Sequence, residues 1–167
     1  MGLSASKRVK TSLVNSSDFD TACDSAFTHC LSLSQHAFDG VLPYQLFTAS
    51  DHIHYSLLSH RRHSLILKWV PDPPSRAQVD SALKKVTHEG ESSDVIGSTL
   101  FKEWAVVLYV DAVVGNAGKA VLSRVPIGIA GIAGIGSLTR SRRELIGTAV
   151  GAYAVGVATW IYLSLSG

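Results

Sequence analysis

Residues 145–165 (LIGTAVGAYAVGVATWIYLSL) carry no charge, and Arg140, Arg142 and Arg143 stand immediately before them. A helix of that length is about 30 Å long, the thickness of a bilayer's hydrocarbon core. A chain of 167 residues has room for one modest domain plus attachments, so a stretch of this kind constrains everything else. The expectation is a C-terminal transmembrane helix over 145–165. It would act as a tail anchor, with the preceding chain on the side of the arginines, because basic residues are retained in the cytosol. Only Ser166 and Gly167 follow it.

A second apolar stretch, 125–138 (VPIGIAGIAGIGSL), is too short to cross on its own, and extending it back to Ala120 takes in Arg124. Gly128, Gly131, Gly134 and Gly136 recur at near-helical spacing, and Gly147, Gly151 and Gly156 do the same in the final segment. Small residues let helices approach closely in lipid, in the manner of a glycine zipper. Two topologies follow. In one, 145–165 crosses alone and the Gly-rich run lies at the interface or on the protein. In the other, the two runs form a hairpin with the arginine turn on the far side. The charge bias favours the single span.

The other end of the chain carries its own membrane signal. Met1-Gly2-Leu3-Ser4-Ala5-Ser6 fits the pattern in which Gly2 accepts a myristoyl group, with Ser6 as the hydroxyl residue that pattern requires. One acyl chain binds membranes only marginally, and Lys7, Arg8 and Lys10 add attraction for anionic lipid. No apolar run near the start fits a secretory signal peptide. The serine-rich residues 1–17 are expected to be disordered.

A net charge of +2 with scattered basic residues excludes nucleic acid as the evident partner. Cys23 and Cys30, seven apart, are expected to be small buried or half-buried thiols in a reducing compartment. The histidines His52, His54, His60 and His63 lack neighbouring cysteines and are expected at the surface rather than on zinc. Residues 115–120 (GNAGKA) have Val113 and Ala120 where a phosphate-binding loop needs glycine and a hydroxyl. No serine or cysteine has the setting of a nucleophile, so neither enzyme chemistry nor a small-molecule substrate is expected.

Between 18 and 112 the pattern is helical. Phe19, Ala22, Cys23, Ala26, Phe27, Cys30 and Leu31 recur at three- and four-residue steps, with Asp18 or Ser17 as cap. Asp39-Gly40 ends that helix, and 42–58 reads as a second. Residues 71–75 (PDPPS) break the chain, Ser75 caps a third helix, and a fourth starts near Ser98. Residues 58–69 alternate basic with apolar positions and suit either a membrane surface or a core-facing helix.

The two helix–loop–helix halves are alike. Residues 41–47 (VLPYQLF) align with 95–101 (VIGSTLF), and Phe27, Cys30 and Leu31 with Val79, Ala82 and Leu83. This arrangement resembles a degenerate pair of EF-hands over roughly 18–110, with Gly40 at the loop's sharp turn and Leu42 where a hydrophobic residue pairs with the partner loop. The resemblance raises calcium as the one cofactor. Calcium wants six to eight oxygens, including a closing bidentate glutamate. The first loop supplies Asp39 as its only carboxylate, with Gln35, Ala37 and Leu46 at the other ligand places. The second offers Glu89, Glu91, Ser93 and Asp94, but Leu100 stands where the glutamate belongs. The expected protein is all-α: a disordered, myristoylated 1–17, an EF-hand-like domain over 18–112, a Gly-rich segment and basic turn over 113–144, and a transmembrane helix over 145–165. The expected role is a non-catalytic adaptor or scaffold on the cytosolic face of a membrane, binding lipid and a protein partner. The alternatives are a structural subunit of an organelle membrane complex and a calcium-responsive sensor.

Overall fold

The structure is a computed structural model, describing residues 2–59, 63–87, 94–138 and 143–165. Among the described residues it holds seven α-helices, one 3₁₀ turn and no strand. The chain divides into two compact units, Met1–Val114 and Gly115–Ser166.

In the N-terminal unit α1 (Gly2–Val14) occupies the segment whose composition suggests disorder. Val9 and Leu13, four residues apart and therefore on one helix face, are both fully buried. Two apolar residues at helical spacing outweigh the serine content around them once a core is available to receive them. In α2 (Ser17–Leu33) the Ser16 hydroxyl accepts from the Phe19 N–H, and Asp18 and Asp20 sit in the positive first turn. Its buried face is Phe19, Ala22, Cys23, Ala26 and Cys30. The helix ends on Gln35 and His36, both left-handed with φ of 52° and 55°.

A 3₁₀ turn (Pro43–Gln45) leads into α3 (Leu46–Ser59), and α4 (Ser64–Trp69) buries Leu65, Ile66 and Trp69. The core-facing alternative for 58–69 therefore describes α4. A capping box formed by Ser75 and Gln78 starts α5 (Arg76–Val86).

The central element of this unit is the first part of α6 (Ser98–Leu138). Phe101, Trp104, Ala105, Leu108 and Tyr109 are fully buried there. The Trp104 indole donates to the Val79 carbonyl at 3.3 Å, and the Tyr109 hydroxyl to the Ser50 carbonyl at 3.0 Å. These bonds tie α6 to α5 and α3 while satisfying the polar ends of buried aromatics. Phe19 meets Tyr109 edge-on at 5.7 Å, and Lys102 bridges to Asp20 (2.6 Å) and Asp24 (2.9 Å) on α2.

The C-terminal unit comprises the rest of α6, with Pro126 inside it, and α7 (Arg143–Ser164). Two helical stretches, Ser98–Ile132 and Ile146–Ser164, are long and apolar enough to cross a membrane.

Candidate functional site

Among the described residues, the connection between α2 and α3 meets the segment leading into α6 at Val41 and Ile96. The Val41 N–H donates to the Ile96 carbonyl at 2.9 Å and the Ile96 N–H to the Val41 carbonyl at 2.8 Å, forming an isolated antiparallel bridge. Gly40 is buried beside it. A Cβ there would strike the Ile96 carbonyl and the Val95 side chain. The sequence alignment places Leu42, not Val41, opposite Ile96. The register differs by one residue because the Leu42 N–H is already taken by the Gln45 side-chain oxygen (2.9 Å), which closes the 3₁₀ turn. The Gln45 amide nitrogen donates to the Cys30 carbonyl at 3.0 Å, so this buried side chain joins the end of α2 to the start of α3. Sequence reasoning passed over Gln45. Its signal was a polar residue three positions after a prospective helix start.

The expected ligand residues do not converge. Asp39 and Asp94 are exposed, Leu46 at the closing position is fully buried, and Glu89, Glu91 and Ser93 lie outside the described residues. Among the described residues no group of three or more His, Cys, Asp or Glu side chains is placed to grip a metal ion.

The histidines are separately employed. His29 and His52 stack at 4.8 Å, and His52 Nε2 lies 3.0 Å from the Ser25 hydroxyl. Burial, then the neighbouring His29, pushes the His52 pKa down. The His54 ring, expected at the surface, is buried, with Nε2 2.9 Å from the Val70 carbonyl. His63, expected at the surface, is buried, which lowers its pKa. It stands at the first position before α4, whose apolar face enters the core. His60 lies outside the described residues.

An apolar groove of about 310 Å³ runs between α1, α2 and α6, walled by Leu13, Val14, Phe19, Cys23, Val106 and Val107 and rimmed by Lys10, Asp20, Lys102 and Glu103. Its volume is at the small end for ligand sites and suits a few aliphatic carbons or one anchoring side chain. Burial, reinforced by Asp20, pushes the Cys23 thiol up to about 12, and burial pushes Cys30 up to about 11. Thiols held protonated in this way are not nucleophiles. The groove was illegible in the sequence because one wall belongs to α1.

In the C-terminal unit α6 and α7 run antiparallel. A Cβ at Gly128 would collide with the Tyr153 ring, whose hydroxyl donates to the Arg124 carbonyl at 3.4 Å. The Arg124 guanidinium lies 5.6 Å from the Trp160 ring centre. One glycine notch is therefore filled, whereas Gly131, Gly147 and Gly151 have nothing within 4 Å of a built Cβ. Gly134 is within α6 and Arg143 begins α7; Arg140 and Arg142 lie outside the described residues. Gly2 is the first residue of α1. Comparison of the chain with protein-family models, curated proteins and solved structures returns no match in any of the three.

Proposed function

We propose that this protein is a non-catalytic adaptor whose EF-hand-like helical unit is held at the cytosolic face of a membrane by an acyl chain on Gly2 and by a C-terminal hairpin of α6 and α7, a reading that the Gly128–Tyr153 and Arg124–Trp160 contacts favour over the single span expected from charge bias. The observation that supports it most is the paired exchange between Val41 and Ile96. It joins two helix–loop–helix halves through their loops, as an EF-hand pair does, without needing a cation. The groove beside α6 then supplies a preformed apolar socket for a partner's side chain or helix. A calcium-responsive role is the weaker reading, since Leu46 fills the closing place of the first loop and Leu100 that of the second.

A photo-reactive amino acid at Val106, inside the groove, tests the adaptor reading in cells. Discrete protein adducts that are lost on Val107→Asp support it, and adducts identical to those from exposed Tyr55 on α3 overturn it. The structural-subunit reading predicts instead that discrete protein adducts arise from Gly131 and Gly151. Calcium added to the full-length protein in detergent should leave tryptophan fluorescence flat.

A further inference from the structure

Arg124 is a charged residue of the C-terminal unit set between two long apolar runs. From residue 112 to 138 and again from 145 to 165 the sequence holds no carboxylate, so the Arg124 charge arises in a region without a built-in counterion. Among the described side chains no acidic group pairs with it; its neighbour is the Trp160 ring at 5.6 Å. Beside this pair the surface sinks into an open concavity of about 470 Å³ lined by Arg124, Tyr153, Gly156, Val157 and Trp160. Gly156, with nothing within 4 Å of a built Cβ, keeps the floor clear, and Tyr153 is held by its bond to the Arg124 carbonyl. A half-exposed Trp160 and a guanidinium offering several N–H donors flank the opening.

The depth of this concavity says what fills it. Arg124 stands about 21 Å of helix from the end of α6 at Leu138, and Trp160 about 26 Å from the start of α7 at Arg143. With the last turn of α6 and the first of α7 in one headgroup layer, a hydrocarbon core about 30 Å thick leaves Arg124 about 9 Å and Trp160 about 4 Å inside the opposite boundary, a gap that a snorkelling guanidinium and local thinning of the bilayer close. Tryptophan favours that level, and basic pockets between helices there recognise anionic headgroups.

We propose that this concavity binds the phosphate of an anionic phospholipid, with Arg124 donating to the phosphate oxygens and Val157 and Trp160 lying against the glycerol and upper acyl carbons. Planar guanidinium matches a phosphate through two parallel N–H bonds, which an ammonium cannot reproduce. The assignment rests on the membrane reading above.

The test uses the full-length protein in phosphatidylcholine nanodiscs with rising fractions of phosphatidylglycerol, and native mass spectrometry reads retained lipid. The wild type should keep phosphatidylglycerol about tenfold better than phosphatidylcholine, as one charge-assisted contact allows. Arg124→Gln should abolish that preference and Arg124→Lys should recover part of it. Lys119→Gln, exposed on the same helix but outside the concavity, should change nothing. Retention within twofold of wild type in Arg124→Gln, or an equal loss in Lys119→Gln, overturns the site. Displacement of the lipid by inorganic phosphate or glycerol phosphate assigns the pocket to a soluble anion instead. Release of the wild type from vesicles by alkaline carbonate defeats the membrane reading itself, whereas stable insertion without lipid preference defeats only the site.

Discussion

The bridge between the two loops makes a sharp demand on Gly40. A methyl group there would overlap the Ile96 carbonyl and the Val95 side chain, so Gly40→Ala must push the first loop away from the second. Both Val41–Ile96 hydrogen bonds then lengthen or break, at about 1 kcal/mol each, and two buried backbone groups lose their partners, adding about as much again. The expected cost is about 2–4 kcal/mol, which lowers the melting temperature of the N-terminal unit by roughly 10–20 °C. Gly97→Ala is the matched control. A Cβ there meets nothing within 4 Å, and a small loss at the helix start offsets the entropy removed from the unfolded chain. Its effect should stay within about 1 kcal/mol of zero. The readout is thermal unfolding of the full-length protein in detergent, followed by tryptophan emission, to which Trp104, fully buried on α6 shortly after the bridge, contributes. Equal destabilisation by the two substitutions, or a Gly40→Ala protein that melts with the wild type, would refute the claim that the loops are mechanically joined.

Gln35→Gly and His36→Gly should each raise stability by roughly 0.5–1 kcal/mol in the same assay, because a left-handed backbone is strained for both residues and glycine removes that strain at a smaller entropic cost. Raising the pH should unfold the N-terminal unit between about 9 and 12: both cysteines ionise near 9.0 once unfolded but at about 12 (Cys23) and 11 (Cys30) inside, so stability present below pH 9 is lost as the pH climbs, by several kcal/mol. Cys23→Ala should flatten that limb, measured by emission at each pH. The same burial makes both native thiols silent toward a membrane-impermeant maleimide at neutral pH. A cysteine introduced at Thr139 should therefore be the sole labelled site, and only from the side opposite the N-terminus; labelling from the N-terminal side would replace the hairpin with a single span.

The helices of the N-terminal unit were largely legible because their apolar residues keep a strict three- and four-residue step. Phe19 to Cys30 and Val79 to Ala82 are read by the same rule that buries them, and Ser75 announces its helix by the capping chemistry it performs. Three features escaped for physical reasons. Among the described side chains of α1, Val9 and Leu13 are the fully buried ones, and such a short apolar signal becomes a helix only when a distant core receives it. The bridging residue was displaced by one because a side chain, Gln45, claimed a backbone N–H that the alignment had assigned to the loop pair. The Arg124–Trp160 pair joins residues far apart in sequence on two helices that resemble uninterrupted apolar runs.

Hydropathy alone also cannot say which solvent hides an apolar helix, and the two candidate spans show why. Both have a mean hydropathy of 1.5 over the decisive window, yet 44% of the first window is buried within the protein and only 6% of the second. In the first, Phe101, Trp104 and Leu108 are removed from water by neighbouring helices, so protein atoms account for much of its apolarity. In the second, Val155 is 66% exposed, Leu163 60% and Trp160 51%, and on α6 beyond the core Leu122 and Ile127 exceed 70%. Each square ångström of such surface left in water costs about 25 cal/mol, and large apolar patches are rare on proteins that live in water alone. The same composition thus supports two assignments, a core helix and a lipid-facing one, and burial separates them. By that criterion the exposed apolar part of α6 lies beyond the core residues near Val113, and α7 carries apolar side chains on its exposed as well as its buried faces.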